Sequence, residues 1–385
     1  MKHYDFLFAG GGLAGLSLAY HLLQSPLRSH TMLIVDQHPQ SYEDRTWGFW
    51  AHQTTPFDNI VYRSWNRLQV LDEQSTKLLS LRTYRYQAIR GCDFSHFLQQ
   101  KLADHPNVEF LQGTVEQIED GNNDASLLVE GHCYHGQWIF DNRFQWSAAD
   151  PLPAHYAYLK QQFKGWEIET DESIFDPQTV TLFDWRISQG KEGSFFYILP
   201  FSEYHALVMF VIYTKVAIGW EKCDSALQDY LQTALGTRAY RLLRTEQGIT
   251  LLTDQPFPRR SGQHVMTIGK TGGRVKPSTG YAFSRIQQDS AAIVDSLLRT
   301  GHPFQVTPSP LRYRFFDAVL LHSMSSHKEQ RTPLLKAILM RQPIERMLRF
   351  LDEIGSHREN LLMVPALPPL LTIQMLLQAP VLLRM

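Results

Sequence analysis

Tyr4-Asp5-Phe6-Leu7-Phe8-Ala9-Gly10-Gly11-Gly12-Leu13-Ala14-Gly15 stands near the start of the chain, and its reading decides the fold. Tyr4–Ala9 is a short apolar run that ends in glycines, the pattern of a strand buried on both faces of a parallel sheet. Leu13 to Gln24 follows with helical spacing, its inner side carrying Leu13, Leu16, Ala19, Leu22 and Leu23. Thr31–Val35 then supplies a second strand and closes a βαβ unit of about thirty residues, the size of a mononucleotide-binding half. Between strand and helix the glycines fit G-x-G-x-x-G. Gly10 permits the tight turn, Gly12 lets backbone approach a pyrophosphate, and Gly15 lets the helix pack closely on the strand. The helix start turns its unpaired N–H groups toward phosphate. Asp36 ends the second strand, 21 positions beyond Gly15, where a carboxylate accepts hydrogen bonds from ribose hydroxyls.

That signature suits NAD and FAD alike, and two later stretches favour FAD. Arg45-Thr46-Trp47-Gly48-Phe49-Trp50 follows the second strand, where a flavin fold keeps a loop against the ribityl chain and the ring. A purely structural aromatic cluster is the competing reading of it. Ile268 to Tyr281 holds Gly272, Gly273, Pro277 and Gly280 between a strand and a helix. Such glycine density lets backbone come close to a flat ring and a diphosphate. The candidate cofactor residues are therefore Gly10, Gly12, Gly15, Asp36, Arg45, Gly272, Gly273, Pro277, Gly280 and Tyr281.

The bulk numbers narrow the remaining classes. With 37 basic and 38 acidic residues, the 385-residue chain lacks the basic bias of a nucleic-acid binder. Cys92, Cys133 and Cys223 lie far apart without a CxxC pair, which argues against a metal site or disulfide framework and fits a reducing compartment. The N-terminus has no charged region before a long apolar core, so a cytoplasmic location is expected. Leu361–Leu383 is the longest apolar stretch, but Pro365, Pro368, Pro369 and Pro380 interrupt it, so any membrane contact is expected at the surface.

Motifs of the first fold recur along the chain, which implies interleaved domains. The expected division is FAD-binding parts at 1–65, 91–160 and 256–305, a substrate domain at 66–90 and 161–255, and a helical region at 306–385. Alternating aromatic and β-branched residues in 66–90 predict antiparallel strands, and the strands of 165–255 are expected to floor a substrate cavity. Val265–Ile268 is expected as the last strand of the first domain, with helices at Phe94–Leu102 and Gln287–Thr300.

Several stretches resemble the bacterial lycopene cyclases, particularly the form common in Bacteroidetes: AGGGLAG at 9–15, DRTWGFW at 44–50, IRGCDF at 89–94, FKGWEIET at 163–170, TLFDWR at 181–186, FYILPFS at 196–202 and KPSTGYAFSRIQ at 276–287. The resemblance spans nearly the whole chain. It implies an α/β fold with an FAD-binding, Rossmann-type domain like that of p-hydroxybenzoate hydroxylase, an interleaved antiparallel sheet for substrate, and a helical C-terminal region. It also implies reduced FAD, with NAD(P)H at most an indirect reductant, and no metal. The implied substrate is an apolar polyene or isoprenoid taken up at a membrane by a cytoplasmic, peripherally attached protein. The implied reaction is proton-initiated ring closure without net redox change, which needs an acid, a base and an apolar wall that keeps water from the cation.

One departure bears on that chemistry. Family members carry an acidic residue in the strand after LPFS, in a segment similar to A-L-V-E-F-T. This chain reads Ala206-Leu207-Val208-Met209-Phe210-Val211, with Met209 at the acid and Val211 at the threonine. Neither side chain can exchange a proton. Three explanations compete: another carboxylate has taken over, the substrate has changed, or turnover has been lost. Asp184 and Glu246 are the candidate carboxylates, both expected to line the cavity, where an apolar setting would raise a carboxyl pKa. Their competing readings are an ion pair of Asp184 with Arg186 and a turn role for Glu246.

Two other classes stay open. Hydroxylases of this fold carry Asp-Gly near position 141 and Gly-Asp near 269, where this chain has Asp141-Asn142 and Gly269-Lys270, which disfavours a flavin monooxygenase or halogenase. A lipid carrier is the other class, suggested by Arg341, Arg346 and Arg349 alternating with apolar residues before the apolar tail.

Overall fold

The computed structural model describes residues 2–38, 45–143, 156–187, 193–237 and 239–363. Asp44 and most of the Leu361–Leu383 stretch lie outside them.

The first sheet is built on the opening strand, His3–Ala9, which pairs in parallel with Met32–Asp36 on one side and His132–Asp141 on the other. Val108–Gln112 extends it beyond Met32–Asp36, also in parallel. Val265–Thr267 joins in parallel beside His132–Asp141, where the sequence places the last strand of this layer. Ala125–Val129 and Val115–Asp120 complete the sheet as an antiparallel meander. Both faces of the parallel part are covered, so Leu7, Phe8, Ala9 and Val35 are fully buried and the strands show no polar alternation. Helices Leu13–Leu23, Gly91–Ala103 and Phe283–Thr300 supply one cover, through Leu16, Leu18, Leu22, Phe94, Leu98, Ile286 and Ile293.

A second sheet of seven strands runs in the order Tyr240–Thr253, Tyr158–Thr170, His205–Thr214, Ser194–Pro200, Thr179–Asp184, Arg67–Leu71, Thr76–Ser80. Its pairs are antiparallel except Thr179–Asp184 with Arg67–Leu71, which is parallel. The two faces serve different cores, as the period of two requires. Phe196, Ile198, Val208, Phe210 and Ile212 pack against helix Trp220–Thr233 through Leu227, Tyr230 and Leu231. Phe195, Tyr197, Leu199, Leu207 and Val211 face the other way, toward helices Leu311–Ser326, Arg331–Arg341 and Ile344–Leu351. Those helices form the roof of a space floored by the sheet.

A three-stranded sheet, Thr46–Ala51, Arg85–Arg90 and Arg63–Trp65, joins the two large sheets. The expected antiparallel strands of 66–90 are thus shared between two sheets. A buried ion cluster fastens the roof to the glycine-rich crossing: Lys276 Nζ donates to Asp317 at 2.8 Å and to Glu353 at 3.2 Å, and Ser278 Oγ donates to Asp317. Breaking one partner of such a buried cluster leaves an uncompensated charge, at a cost of about 3–5 kcal/mol. Among the described residues no helix is long and apolar enough to cross a membrane.

Candidate active site

A cavity of about 630 Å³ begins at the glycine turn and runs between the second sheet and its helical roof. Gly12, Leu13, Ala14, Arg45, Asn142, Gly269, Lys270 and Thr271 line one end. Gly10 adopts φ +108°, a conformation that side chains disfavour, and brings the turn against Asn142. At Gly15 a Cβ would lie 2.2 Å from the Gly10 carbonyl oxygen, so helix and turn can approach this closely only without a side chain. Helix Leu13–Leu23 has no side-chain cap at Gly12, and its first N–H groups face the cavity end. Asp36 stands just behind, one carboxylate oxygen accepting from the Gly11 N–H at 2.6 Å and the other from the His38 N–H.

The crossing from Val265–Thr267 to helix Phe283–Thr300 closes the same end. Gly280 and Tyr281 reach the cavity wall, whereas Gly272, Gly273 and Pro277 shape the turn behind it. Gly280 lies so close to the Gln161 amide that a Cβ would fall 2.1 Å from its oxygen. Lys270 stands where the hydroxylase pattern carries an acid, and burial, with the charge of Arg45 adding to it, lowers its pKa to about 8. An open helix start, backbone that crowds it without side chains, and two neighbouring cations fit the diphosphate of a dinucleotide.

Beyond this end the wall turns apolar and aromatic, with Trp50, Phe163, Leu182, Phe183, Phe195, Phe316, Leu320, Leu335 and Met347 among its residues. A single register row crosses the floor. Tyr197 pairs with Met209, Met209 with Gly165, and Gly165 with Glu246. Gly165 is the gap that lets its neighbours meet: a Cβ there would lie 2.7 Å from Met209 Cγ and 3.0 Å from Glu246 Cγ. The next row holds Phe195, Val211, Phe163 and Gly248, with the Phe163 ring lying over Gly248.

Glu246 is 3% exposed and lines the cavity. Burial raises its pKa to about 7, against the opposing charge of Arg244 and hydrogen bonds from Thr46. Its Oε2 has no hydrogen-bond partner among the described residues, and the nearest cation, Arg244 Nη1, stands 3.4 Å away. A protonated carboxyl satisfies this arrangement, since its O–H can then point into the cavity.

Asp184 is placed differently, and the expectation that it lines this cavity is corrected. A bulge between Thr181 and Asp184 shifts the strand register and sets Asp184 opposite Phe196, on the helix side of the sheet. There it is fully buried, accepting from Arg186 Nη2 at 2.6 Å and Tyr230 Oη at 2.5 Å. Its competing reading, the ion pair with Arg186, describes the structure.

Three tyrosine hydroxyls gather beside Glu246, those of Tyr86 and Tyr197, which the sequence reading did not single out, and that of Tyr281, a candidate cofactor residue. Tyr86 Oη lies 2.8 Å from Tyr197 Oη and 3.4 Å from Tyr281 Oη, and all three side chains line the cavity. Burial pushes each hydroxyl well above its ordinary pKa, so all three keep their protons. Two contacts consume two of the three O–H protons, leaving one to be donated elsewhere. Gly48 makes room for the group, for a Cβ there would meet Tyr197 Oη and Tyr86 Oη. No sequence spacing announces this cluster, because its members come from three separate segments.

Fold comparison finds solved structures of the same architecture. A geranylgeranyl bacteriochlorophyll reductase-like protein from Thermoplasma acidophilum superposes with a TM-score of 0.69 at 12% identity, covering 97% of this chain and 98% of that one. The flavin-dependent brominase Bmp2 gives 0.62 at 13% identity, covering 95% and 98%. These likenesses agree with the α/β, FAD-binding Rossmann-type fold and interleaved second sheet expected from sequence. Curated relatives include plant enzymes. A chloroplastic neoxanthin synthase of Solanum tuberosum is 22% identical over 82% of this chain and 65% of its own length. A chloroplastic lycopene beta cyclase of an Oncidium hybrid cultivar is 24% identical over 76% of this chain and 64% of its own length. The match thus spans just under two thirds of these relatives. The family model described as lycopene cyclase protein matches residues 5–377, and the chain belongs to that family.

Proposed function

We propose that the protein closes the end of a linear carotenoid or related polyene into a ring, holding reduced FAD at the glycine-turn end of the cavity and using Glu246 as the proton donor. The observation that carries this reading is the position of Glu246: an apolar cavity wall, a pKa near 7, and direct adjacency to Met209, where family relatives carry their acid.

The chain's own residues divide the work. Gly12, Arg45, Lys270 and the start of helix Leu13–Leu23 would hold the diphosphate region, and Tyr281 and Gly280 border the space beyond. When bound, reduced FAD supplies an electron-rich flat ring against which a carbocation is stabilised. Phe163, Phe183, Phe195 and the roof residues Phe316 and Leu335 hold the polyene end and exclude water. Glu246 transfers its proton to the terminal double bond, the internal double bond attacks the resulting tertiary cation, and the Glu246 carboxylate takes up a ring proton, leaving an isomer of the substrate. Tyr86, Tyr197 and Tyr281 place π faces and oxygen lone pairs around the cation's position.

Apolar side chains near the far end support delivery from a membrane surface. Met363 lines the cavity, and Ile354, Leu361 and Leu362 close to it in sequence are exposed. Flotation with liposomes tests this part, with recovery in the floated fraction expected and full recovery in the soluble fraction contradicting it. Incubation of the FAD-loaded, reduced protein with lycopene in liposomes tests the reaction. Cyclic products of unchanged mass support it. Oxygenated or halogenated products coupled to NADPH oxidation would establish the monooxygenase or halogenase class instead.

A further inference from the structure

Arg244 stands between two buried carboxylates and is not shared evenly. Its Nε donates to Glu167 Oε2 at 3.0 Å, and its Nη2 lies 2.9 Å from the same oxygen while donating to Thr46 Oγ1 at 2.8 Å. Only Nη1 approaches Glu246, at 3.4 Å and without a hydrogen bond to Oε2. Both contacts follow from register: Glu167 faces Arg244 directly across the strand pair, and Glu246 is two residues further along the same face.

The titratable and charged groups around Glu246 come from several strands. Arg244 is on its own strand, Glu167 on the adjacent one, and Tyr197 approaches from Ser194–Pro200. Arg90 and His205 stand behind Glu167, Arg90 donating to it at 2.6 Å and His205 Nε2 lying 2.8 Å from its carboxylate. Glu167 is thereby the best-anchored anion of the cluster, with two arginines and a histidine around it, and it is 4% exposed.

We propose that Glu167 is a positioning residue: by drawing the Arg244 guanidinium onto itself it keeps that cation from closing to a hydrogen bond with Glu246 Oε2, and so keeps the proton on the residue that donates it. The inference rests on the reading of Glu246 as the acid. Without the Glu167 charge, Arg244 loses its two-point anchor on that side, and its Nη1 already stands 3.4 Å from Glu246 Oε2. An opposite charge brought to a carboxylate favours the ionised form. Family resemblance identifies Glu246 as a cavity carboxylate, but the partition of Arg244 follows from the distances alone.

Infrared difference spectroscopy on the FAD-loaded protein measures this directly, because the C=O stretch of a protonated carboxyl that disappears in Glu246→Gln reports Glu246 itself. Glu167→Gln is expected to lower the titration midpoint of that band by about one unit or more, with the basic limb of the cyclisation pH profile moving by the same amount. Glu167→Asp is expected to return the midpoint toward wild type. An unmoved midpoint in folded Glu167→Gln, even with reduced thermal stability, would overturn the proposal by showing a structural role only. If Glu167→Gln does not fold, the double variant Glu167→Gln/Arg244→Gln decides: with the cation gone its midpoint is expected at or above the wild-type value, and a midpoint below wild type overturns the proposal. Should Glu246→Gln still cyclise while the midpoint responds to Glu167, the acid reading falls and the control of Glu246 by Glu167 stands.

Discussion

Met209 and Glu246, on strands that never pair with each other, meet across Gly165 because the middle strand offers no side chain between them. A sheet row in which the family acid's position holds a thioether therefore still has a carboxyl within reach of the same spot. On the proposed reading the acid's place is shifted by two strands, and the geometry can be tested from each side.

Gly165→Ala puts a methyl carbon 2.7 Å from Met209 Cγ and 3.0 Å from Glu246 Cγ. Overpacking of this kind costs about 1–3 kcal/mol, so the variant is expected to fold with a lower melting temperature. Displacement of Glu246 by a fraction of an ångström is expected to slow ring closure by on the order of 100-fold. Circular dichroism and pigment chromatography on the same preparation check both halves.

On the proposed reaction Glu246 acts in its protonated form. Burial sets its pKa near 7, so activity is expected to be full below that value and to fall about tenfold per pH unit above it. A profile flat through neutrality in wild type would remove Glu246 from the acid's role.

Met209→Glu restores a carboxyl beside an existing one. Two carboxyls sharing an apolar site cannot both ionise easily, so one pKa rises. The variant is expected to stay active and to extend its basic limb upward by about one unit or more, which a pH–rate series reads out.

Asp184→Asn removes the charge that pairs with Arg186 and accepts from Tyr230, on the side of the sheet away from the cavity. The expected outcome is a loss of about 3 kcal/mol in stability, read by urea titration, with cyclisation by the remaining folded protein unchanged. Loss of turnover without loss of stability would return Asp184 to the chemistry.

Glu167 links the cluster to stability at low pH. Burial works to raise its pKa, but the hydrogen bonds of His205 and Arg244 and the charge of Arg90 outweigh it and hold the value near 2, below the ordinary 4.5. Its contribution is therefore complete above about 4.5 and is lost as pH falls toward 2. Glu167→Gln is expected to flatten that part of the stability curve, measured as the urea midpoint against pH.

Local backbone rules made the first half of the site legible in sequence. Gly10, Gly12, Gly15 and Asp36 lie within one βαβ unit, and the turn they form depends on neighbours in the chain. The strands of the second sheet were legible as strands, but their facing was not. At Asp184 a bulge moved a side chain from one face to the other, and a period of two cannot register an inserted residue. Tyr86, Tyr197 and Tyr281 are 111 and 195 residues apart from one another in their contacts, so only the assembled sheets bring them together. The apolar spacing of Phe316, Leu335 and Met347 marks helices with a buried face, yet the same spacing serves a solid core or the roof of a cavity.

The central claim is that a proton, and not an electron or an oxygen atom, starts the reaction. Running it in heavy water with lycopene and the reduced, FAD-loaded protein, and weighing the product by mass spectrometry, tests that claim most directly. The account predicts one solvent deuteron gained for each ring closed, no oxygen gained and no change in the number of electrons. Rings that carry no deuterium, or product that carries oxygen, would contradict it.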